Sequence, residues 1–234
     1  MSRRFFVDSP IIGETAVLTG QEAQHLSKVM RAKVGDELIL FDGSGAEFAA
    51  RVENIGRSAV DMSIGERCEV DRELHFRLVI GVSLPKGDRQ RWLVEKLVEL
   101  GVTETVPLVT ARSVAQPNGN ALERLRRAVI EASKQCGRNR LMAIREASTF
   151  EAFLTSAADS DRRLIAHPPN SHEVAATWKS PSSHVVVAVG PEGGFTDEEV
   201  AQAETRRWNK VSLGSRVLRT ETAAVAIAAA IVIA

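Results

Sequence analysis

Cysteine is scarce in this chain. Its 234 residues include two, Cys68 and Cys136, with no Cys-x-x-Cys and no neighbouring pair of histidines. That argues against a disulfide framework and against a structural zinc site, so no metal is expected. Net charge is missing as well: thirty basic and thirty acidic residues cancel, and the global balance says nothing about nucleic acid. The start, Met1-Ser2-Arg3-Arg4-Phe5-Phe6, lacks the long apolar stretch of a secretory signal. The apolar end, Ala223 to Ala234, is too short to span a bilayer. A cytoplasmic location without a membrane partner is the expectation. The two best-known nucleotide fingerprints, Gly-x-Gly-x-x-Gly and Gly-x-x-x-x-Gly-Lys-Ser/Thr, are absent. No Ser/His/Asp or Cys/His set emerges, which leaves covalent catalysis without support.

What is present is unevenly spread. The composition, 44% hydrophobic and 26% charged, is that of an ordinary globular protein. Basic residues, however, gather in two places. Arg112 to Arg140 holds seven Lys/Arg against two Glu, and Arg206 to Arg219 holds five with no acid. One such run is usually a solvated face; two in a neutral protein point to a phosphate-rich partner.

Residues 1–70 are mostly β. Short runs at Ala16–Leu18, Glu37–Phe41, Glu47–Val52 and Ala59–Ile64 are separated by turns such as Asp42-Gly43-Ser44-Gly45, with one helix near Gln21–Met30. Several short strands and one helix suggest a small barrel. The charged stretch Glu66–Glu73 has no clear period and is the candidate linker. From residue 74 to 234 strand and helix alternate. Strands are expected at Phe76–Leu84, Glu104–Val109, Arg163–His167, Val185–Val189 and Lys210–Leu213. Helices are expected at Asp88–Leu100, stopped by Gly101, and at Leu122–Cys136, closed by Gly137. That alternation implies an α/β domain, a parallel sheet covered by helices on both faces, with ligands at the carboxyl ends of the strands.

Two loops lie at such ends. Val185–Val189 breaks into Gly190-Pro191-Glu192-Gly193-Gly194, and Thr196 with Glu199 then reads as a capping box opening a helix. About twenty residues on, Lys210–Leu213 runs into Gly214-Ser215, and Thr220-Glu221-Thr222 starts an Ala/Ile/Val helix. A glycine after a strand ordinarily just turns the chain. Two such loops with unusual sequences shift the balance towards a binding site for a cofactor laid against backbone. The last helix is apolar nearly all round and needs burial in a core or a subunit interface.

Gly190-Pro191-Glu192-Gly193-Gly194-Phe195, with Leu213-Gly214-Ser215-Arg216-Val217-Leu218-Arg219-Thr220-Glu221-Thr222-Ala223, resembles the paired signature of the RsmE family. These are 16S rRNA uridine-N3 methyltransferases of the SPOUT superfamily. The resemblance extends over nearly the whole chain. Arg3-Arg4-Phe5-Phe6 and His25-Leu26-Ser27-Lys28-Val29-Met30-Arg31 match the family's PUA-like RNA-binding domain. Glu95-Lys96-Leu97-Val98-Glu99-Leu100-Gly101 and the segment from Glu131 to Arg140 match its second domain. A proline common after that segment is replaced here, where Met142 follows Leu141.

The resemblance implies a trefoil-knotted SPOUT domain over 74–234, a PUA-like domain over 1–70, and a homodimer through the C-terminal domain. It implies S-adenosylmethionine as cofactor and 16S rRNA in the 30S subunit as partner, with methyl transfer to uridine 1498 in standard rRNA numbering. Carried onto this chain, the cofactor would lie against Leu164, Ala166, His167, Val189, Gly190, Pro191, Gly193, Gly194, Leu213, Gly214, Val217, Leu218, Arg219, Thr220 and Thr222. Arg219 would stabilise an anion, Glu221 would accept the N3 proton or hold the base, and Glu192 is the other carboxylate or a brace for its loop. Arg3, Arg4, His25, Lys28, Arg31, Lys86, Arg89, Arg138 and Arg140 would meet RNA phosphates; singly, each is more often a surface charge, and His25, Lys28 and Arg31 alone read as a solvated stripe. The same chemistry on tRNA or 23S rRNA, and a ribosome assembly factor without activity, are the alternatives.

Overall fold

The computed structural model describes residues 3–114, 119–167 and 182–233. The chain divides into two units, Met1–Glu73 with Ile130–Leu141, and Leu74–Val129 with Met142–Ala234.

In the first unit the strands are β1 (Arg4–Phe6), β2 (Thr15–Thr19), β3 (Glu37–Phe41), β4 (Ala46–Ile55) and β5 (Ala59–Glu69). They form one curled sheet in the order β1-β3-β4-β5-β2, with β1 parallel to β3 and the remaining pairs antiparallel. Period-two alternation along β4 turns Ala46, Phe48, Ala50 and Val52 inwards. There they join Phe5, Leu18, Leu26, Leu40, Val60 and Met62 in a single core. The expected helix begins as α1 (Gly20–Gln24) and widens into a π-helical turn, His25–Val29, where Met30 N–H donates to His25 O at 3.0 Å. β1 is too short to leave a periodic signal. The expected linker is corrected at its start: Glu66–Glu69 continues β5, because Phe48–Ala46 of β4 pairs with Arg67–Glu69 in register. Backbone pairing holds a solvated strand without any apolar alternation.

Ile130–Leu141, expected in the second half, counts with this first unit. A polar cluster ties it in. Buried Arg4 donates to Glu47 at 2.7 Å and also to Asn139, Arg72 donates to the Gly137 carbonyl at 2.8 Å, and Lys134 reaches Glu22 at 2.9 Å.

The second unit is α/β. Its strands are β6 (Arg77–Val82), β7 (Glu104–Val109), β8 (Ala143–Ile144), β9 (Ser148–Thr149), β10 (Arg162–Ala166), β11 (His184–Val189) and β12 (Asn209–Val211). All pairs are parallel, in the order β12-β10-β11-β6-β7-β8, with β9 also on β7. The helices are α2 (Arg89–Glu99), α3 (Gly119–Cys136, counted with this unit up to Val129), α4 (Phe150–Ser156), α5 (Asp197–Thr205) and α6 (Thr220–Ile233). One sheet face, with Val79, Val106, Ile165, Val186 and Ala188, packs on Phe150 and Phe153 of α4, Val200 and Ala203 of α5, and Trp208. Gly81 in β6 leaves room there, since a Cβ would lie 2.4 Å from the Phe153 ring. α6 packs on β6, β11 and α2. Burial on both faces is why β11 reads as an unbroken apolar run. The expected stops at Gly101 and Gly137 hold, with φ of +80° and +87°. Two-residue strands β8 and β9, and α4, went unanticipated. Among the described residues no helix is long and apolar enough to cross a membrane. The expected trefoil knot is a property of the whole chain path, of which residues 168–181 lie outside the described ones.

Candidate active site

The strand order decides where the site lies. β10 sits between β11 and β12, so the two glycine loops leave strands flanking the carboxyl end of β10, about 10 Å apart at ordinary strand spacing. A pocket of ≈270 Å³ opens there. Ala166 and His167 line it from β10, Val189 to Gly194 from the first loop, and Val211 to Gly214 with Arg216, Val217, Leu218, Thr220 and Ala223 from the second.

Each loop is held by contacts that its sequence makes available. In the first, Gly194 N–H donates to the Pro191 carbonyl at 2.8 Å and takes φ of +69°, a backbone angle that favours glycine. A Cβ on Gly190 would meet the Phe195 ring at 3.1 Å, so glycine lets the loop close over that ring. The capping box on α5 is present: Thr196 Oγ1 accepts from Glu199 N–H at 3.2 Å, and Glu199 accepts from Thr196 N–H at 2.8 Å. The second Glu199 oxygen also accepts from Ala111 N–H at 2.8 Å, while Arg112 donates to the Gly193 carbonyl at 2.8 Å. The segment after β7 thus braces the first loop. In the second loop Gly214 has φ of +101° and Gly214 N–H donates to Ser212 Oγ at 3.3 Å. Thr220 joins the two loops, its hydroxyl donating to the Gly190 carbonyl at 3.2 Å.

At this junction three charged side chains meet. Arg89 Nη1 lies 3.3 and 3.4 Å from the two Glu221 oxygens, and its Nη2 lies 3.2 Å from Glu192. Glu221 is buried in the first turn of α6; Glu192 is exposed on the first loop and lines the pocket.

Ala166, His167, Val189, Gly190, Pro191, Gly193, Gly194, Leu213, Gly214, Val217, Leu218 and Thr220 all line this one pocket. Leu164 does not; it is buried within the sheet, and Arg219 and Thr222 are exposed and stand outside the lining. Val211, Ser212, Arg216 and Ala223 line the pocket without having been singled out, and Arg112 braces it. Only the place of the first four inside or beside the second motif marked them, whereas Arg112 lies 81 positions before Gly193.

The expected RNA contacts separate by exposure. Lys28, Arg31, Lys86 and Arg140 are exposed, Arg31 with a left-handed φ of +52°. His25 is half-buried against Phe5, and Arg3 pairs with Asp36 at 2.8 Å. Arg4 and Arg138 are corrected. Both are buried, Arg4 on Glu47 and Arg138 on Glu73, leaving no open face for a phosphate. Arg89 is half-buried, with its guanidinium engaged by Glu192 and Glu221.

The pocket suits S-adenosylmethionine. Its walls are Val189, Pro191, Leu213, Val217 and Leu218 with exposed backbone between them, the mixture that small-ligand pockets use. A Cβ at Gly194 or Gly214 would project into open space, so the backbone there is bare to a ligand. No group of three or more His, Cys, Asp or Glu among the described residues could hold a metal ion.

Residues 72–232 match the family model of an RNA methyltransferase domain, and residues 18–65 that of an RNA methyltransferase PUA domain. The ribosomal RNA small subunit methyltransferase E of Synechocystis is 32% identical over 217 residues, which cover 91% of this chain and 71% of that protein. Its namesake from Bacillus subtilis is 31% identical over 220 residues, 89% and 86% of the two chains. Among solved structures, a ribosomal RNA small subunit methyltransferase E from Neisseria gonorrhoeae bound to S-adenosyl methionine superposes with a TM-score of 0.90 at 30% identity, over 98% and 96% of the chains. A putative methyltransferase of Legionella pneumophila with bound SAM does so equally, at 0.90 and 30%, over 98% and 97%. The strand order, the two joined loops and these likenesses agree, and the chain belongs to the RNA methyltransferase family, alongside the ribosomal RNA small subunit methyltransferase E proteins.

Proposed function

We propose that this chain methylates N3 of a uridine in 16S rRNA of the small ribosomal subunit, at position 1498 in standard rRNA numbering, using S-adenosylmethionine. The observation that carries this reading is the pocket at three adjacent strand ends, with a buried carboxylate, Glu221, beside its wall. The relatives' names supply the substrate class.

Bound across the two loops, the cofactor supplies a methyl group on a positively charged sulfur. The protein's own task lies with the base. Uridine N3 carries a proton, so this proton must be removed and the resulting anion balanced. Glu221 accepts it or holds the base, and the exposed Arg219, just before α6, stabilises the anion. Glu192 either assists or braces its loop. Leu164 supports the pocket from within β10, and Thr222 stands on the first turn of α6. Arg3, His25, Lys28, Arg31, Lys86 and Arg140 position RNA through phosphates, with no part in reading its sequence.

A second copy completes the molecule. Val225, Ala229 and Val232 form a half-buried stripe along α6 at helical spacing, and Trp92 on α2 is 44% exposed. A homodimer through this domain would cover such surface. The trefoil knot belongs to the same reading, with both loops threaded at the pocket. The substrate is taken to be RNA within the 30S subunit, and the place of work the cytoplasm.

Labelled S-adenosylmethionine should be incubated with unmethylated 30S subunits, and in parallel with naked 16S rRNA, tRNA and 23S rRNA. Label recovered as 3-methyluridine from the 30S or 16S sample is the expected result. Label confined to tRNA or 23S rRNA would replace the target and keep the chemistry. Cofactor binding with no label in any RNA would favour an assembly factor.

A further inference from the structure

Arg89 occupies a place that elementary electrostatics disfavours. It is the first residue of α2, where the partial positive charge of a helix N-terminus repels a cation. Its guanidinium is nevertheless fixed there by two carboxylates from two different segments. One nitrogen straddles both oxygens of Glu221 at 3.3 and 3.4 Å, and the other reaches Glu192 at 3.2 Å. The two partners differ. The Glu221 side chain is 7% exposed and that of Glu192 41%, with Arg89 itself at 36%. Contact with an exposed carboxylate is readily exchanged for solvent or a ligand. Contact with a buried one is not, because a carboxylate out of water needs its counter-charge. Arg89 is the cation within ion-pair distance of Glu221 among the described residues.

We infer that Arg89 is a positioning residue for Glu221: it fixes the orientation of that carboxylate beside the pocket, so that Glu221 faces the base in a set geometry. The inference rests on the proposed role of Glu221 in handling the uridine N3 proton. Glu192 holds the outer arm of the guanidinium, from the loop that also lines the pocket. A plain staple between segments would cost stability when cut and leave turnover per folded molecule intact. A positioning residue behaves differently, since misplacing a reacting group by about 1 Å lowers turnover roughly 100-fold.

The test measures kcat, KM for S-adenosylmethionine, KM for RNA and melting temperature for wild type, Arg89→Met, Arg89→Lys, Glu221→Gln and the Arg89→Met/Glu221→Gln double variant. Arg89→Ala is assayed with and without added guanidinium chloride at a non-denaturing concentration. The expected result is a kcat roughly 100-fold lower in Arg89→Met with KM for the cofactor within about twofold. The double variant should be no slower than Glu221→Gln, and guanidinium should restore part of the Arg89→Ala rate. If Arg89→Met fails to fold, Arg89→Lys and the guanidinium rescue carry the same comparison. Unchanged kcat in the folded variants would overturn the inference, as would a loss confined to KM for RNA with additive effects of the two substitutions. A wild-type protein that methylates no RNA would remove the proposed function and this inference together, a result the wild-type control tells apart from the others.

Discussion

Thr220 and Gly190 stand thirty residues apart and are joined by one hydrogen bond, the threonine hydroxyl donating to the glycine carbonyl at 3.2 Å. Thr220 is the first residue of α6 and Gly190 the first beyond β11. Their bond therefore fixes the mouth of one loop to the end of the other. Both groups are out of solvent, so water cannot replace either partner.

Substituting Thr220→Val keeps the shape and leaves the Gly190 carbonyl unpaired. The expected loss is about 1–3 kcal/mol of stability, with weaker cofactor binding because both loops line one pocket. Thermal melting and calorimetric titration of S-adenosylmethionine would check it; an unchanged affinity would separate the bond from the site.

Gly190→Ala tests close packing. The new methyl would sit 3.1 Å from the Phe195 ring, which is buried and packed at a tilt against Phe150 with ring centroids 4.7 Å apart. The ring has little room to retreat, and overpacking of this kind costs about 1–3 kcal/mol. Cofactor affinity should fall together with the melting temperature. A variant that melts like wild type and binds as tightly would contradict the geometry.

Arg4→Met should destabilise the first unit by about 1–3 kcal/mol, since it leaves the buried Asn139 oxygen without its donor and Glu47 with Arg72 as its remaining cation. Arg31→Ala and Lys86→Ala should leave the melting temperature nearly unchanged. Each should weaken RNA binding and lower the salt slope of log K by about one. Filter binding at several salt concentrations, beside melting curves, separates the two groups.

Acid should weaken the second unit in two stages. Burial, with the nearby Arg77 charge, pushes the His184 imidazole below its usual 6.5. The fold prefers it neutral, so its contribution is complete above pH 6.5 and is lost as pH falls through the lower folded value. Burial would raise the Glu104 carboxyl, but the Arg145 and Arg77 guanidinium groups outweigh it and hold the carboxyl below 4.5. That contribution is present above pH 4.5 and lost on further acidification. Melting temperatures measured from neutral pH downwards should fall in both ranges, and His184→Gln should flatten the upper one alone.

Arg219→Ala should lower kcat by at least about tenfold while cofactor affinity stays near wild type, because the side chain is exposed and outside the pocket lining. Equal activity in the variant would assign anion stabilisation elsewhere.

Local signals wrote much of this protein in advance. Val185–Val189 announced a strand buried on both faces, Thr196 and Glu199 a helix start, Gly101 and Gly137 helix ends, and each was found. Such features depend on residues a few positions apart, where backbone propensity and capping act. β1, β8 and β9 were invisible because two or three residues carry no period, and neighbouring strands alone recruit them. The paired loop motifs marked nearly every residue of the pocket wall, since glycine and capping requirements are local.

What sequence could not decide was the partner of each charge. Arg4, Arg89 and Arg138 look like Lys28 and Arg31 in a string of letters, yet the first three are engaged by carboxylates and the last two face solvent. An ion pair forms between residues 43, 65 or 132 positions apart only once the chain is folded. Its strength then depends on how much water the surrounding packing removes. Sequence determined the strands, the loops and their chemistry. The tertiary structure alone placed β10 between β11 and β12, and so brought two loops to one pocket and Arg89 to Glu221.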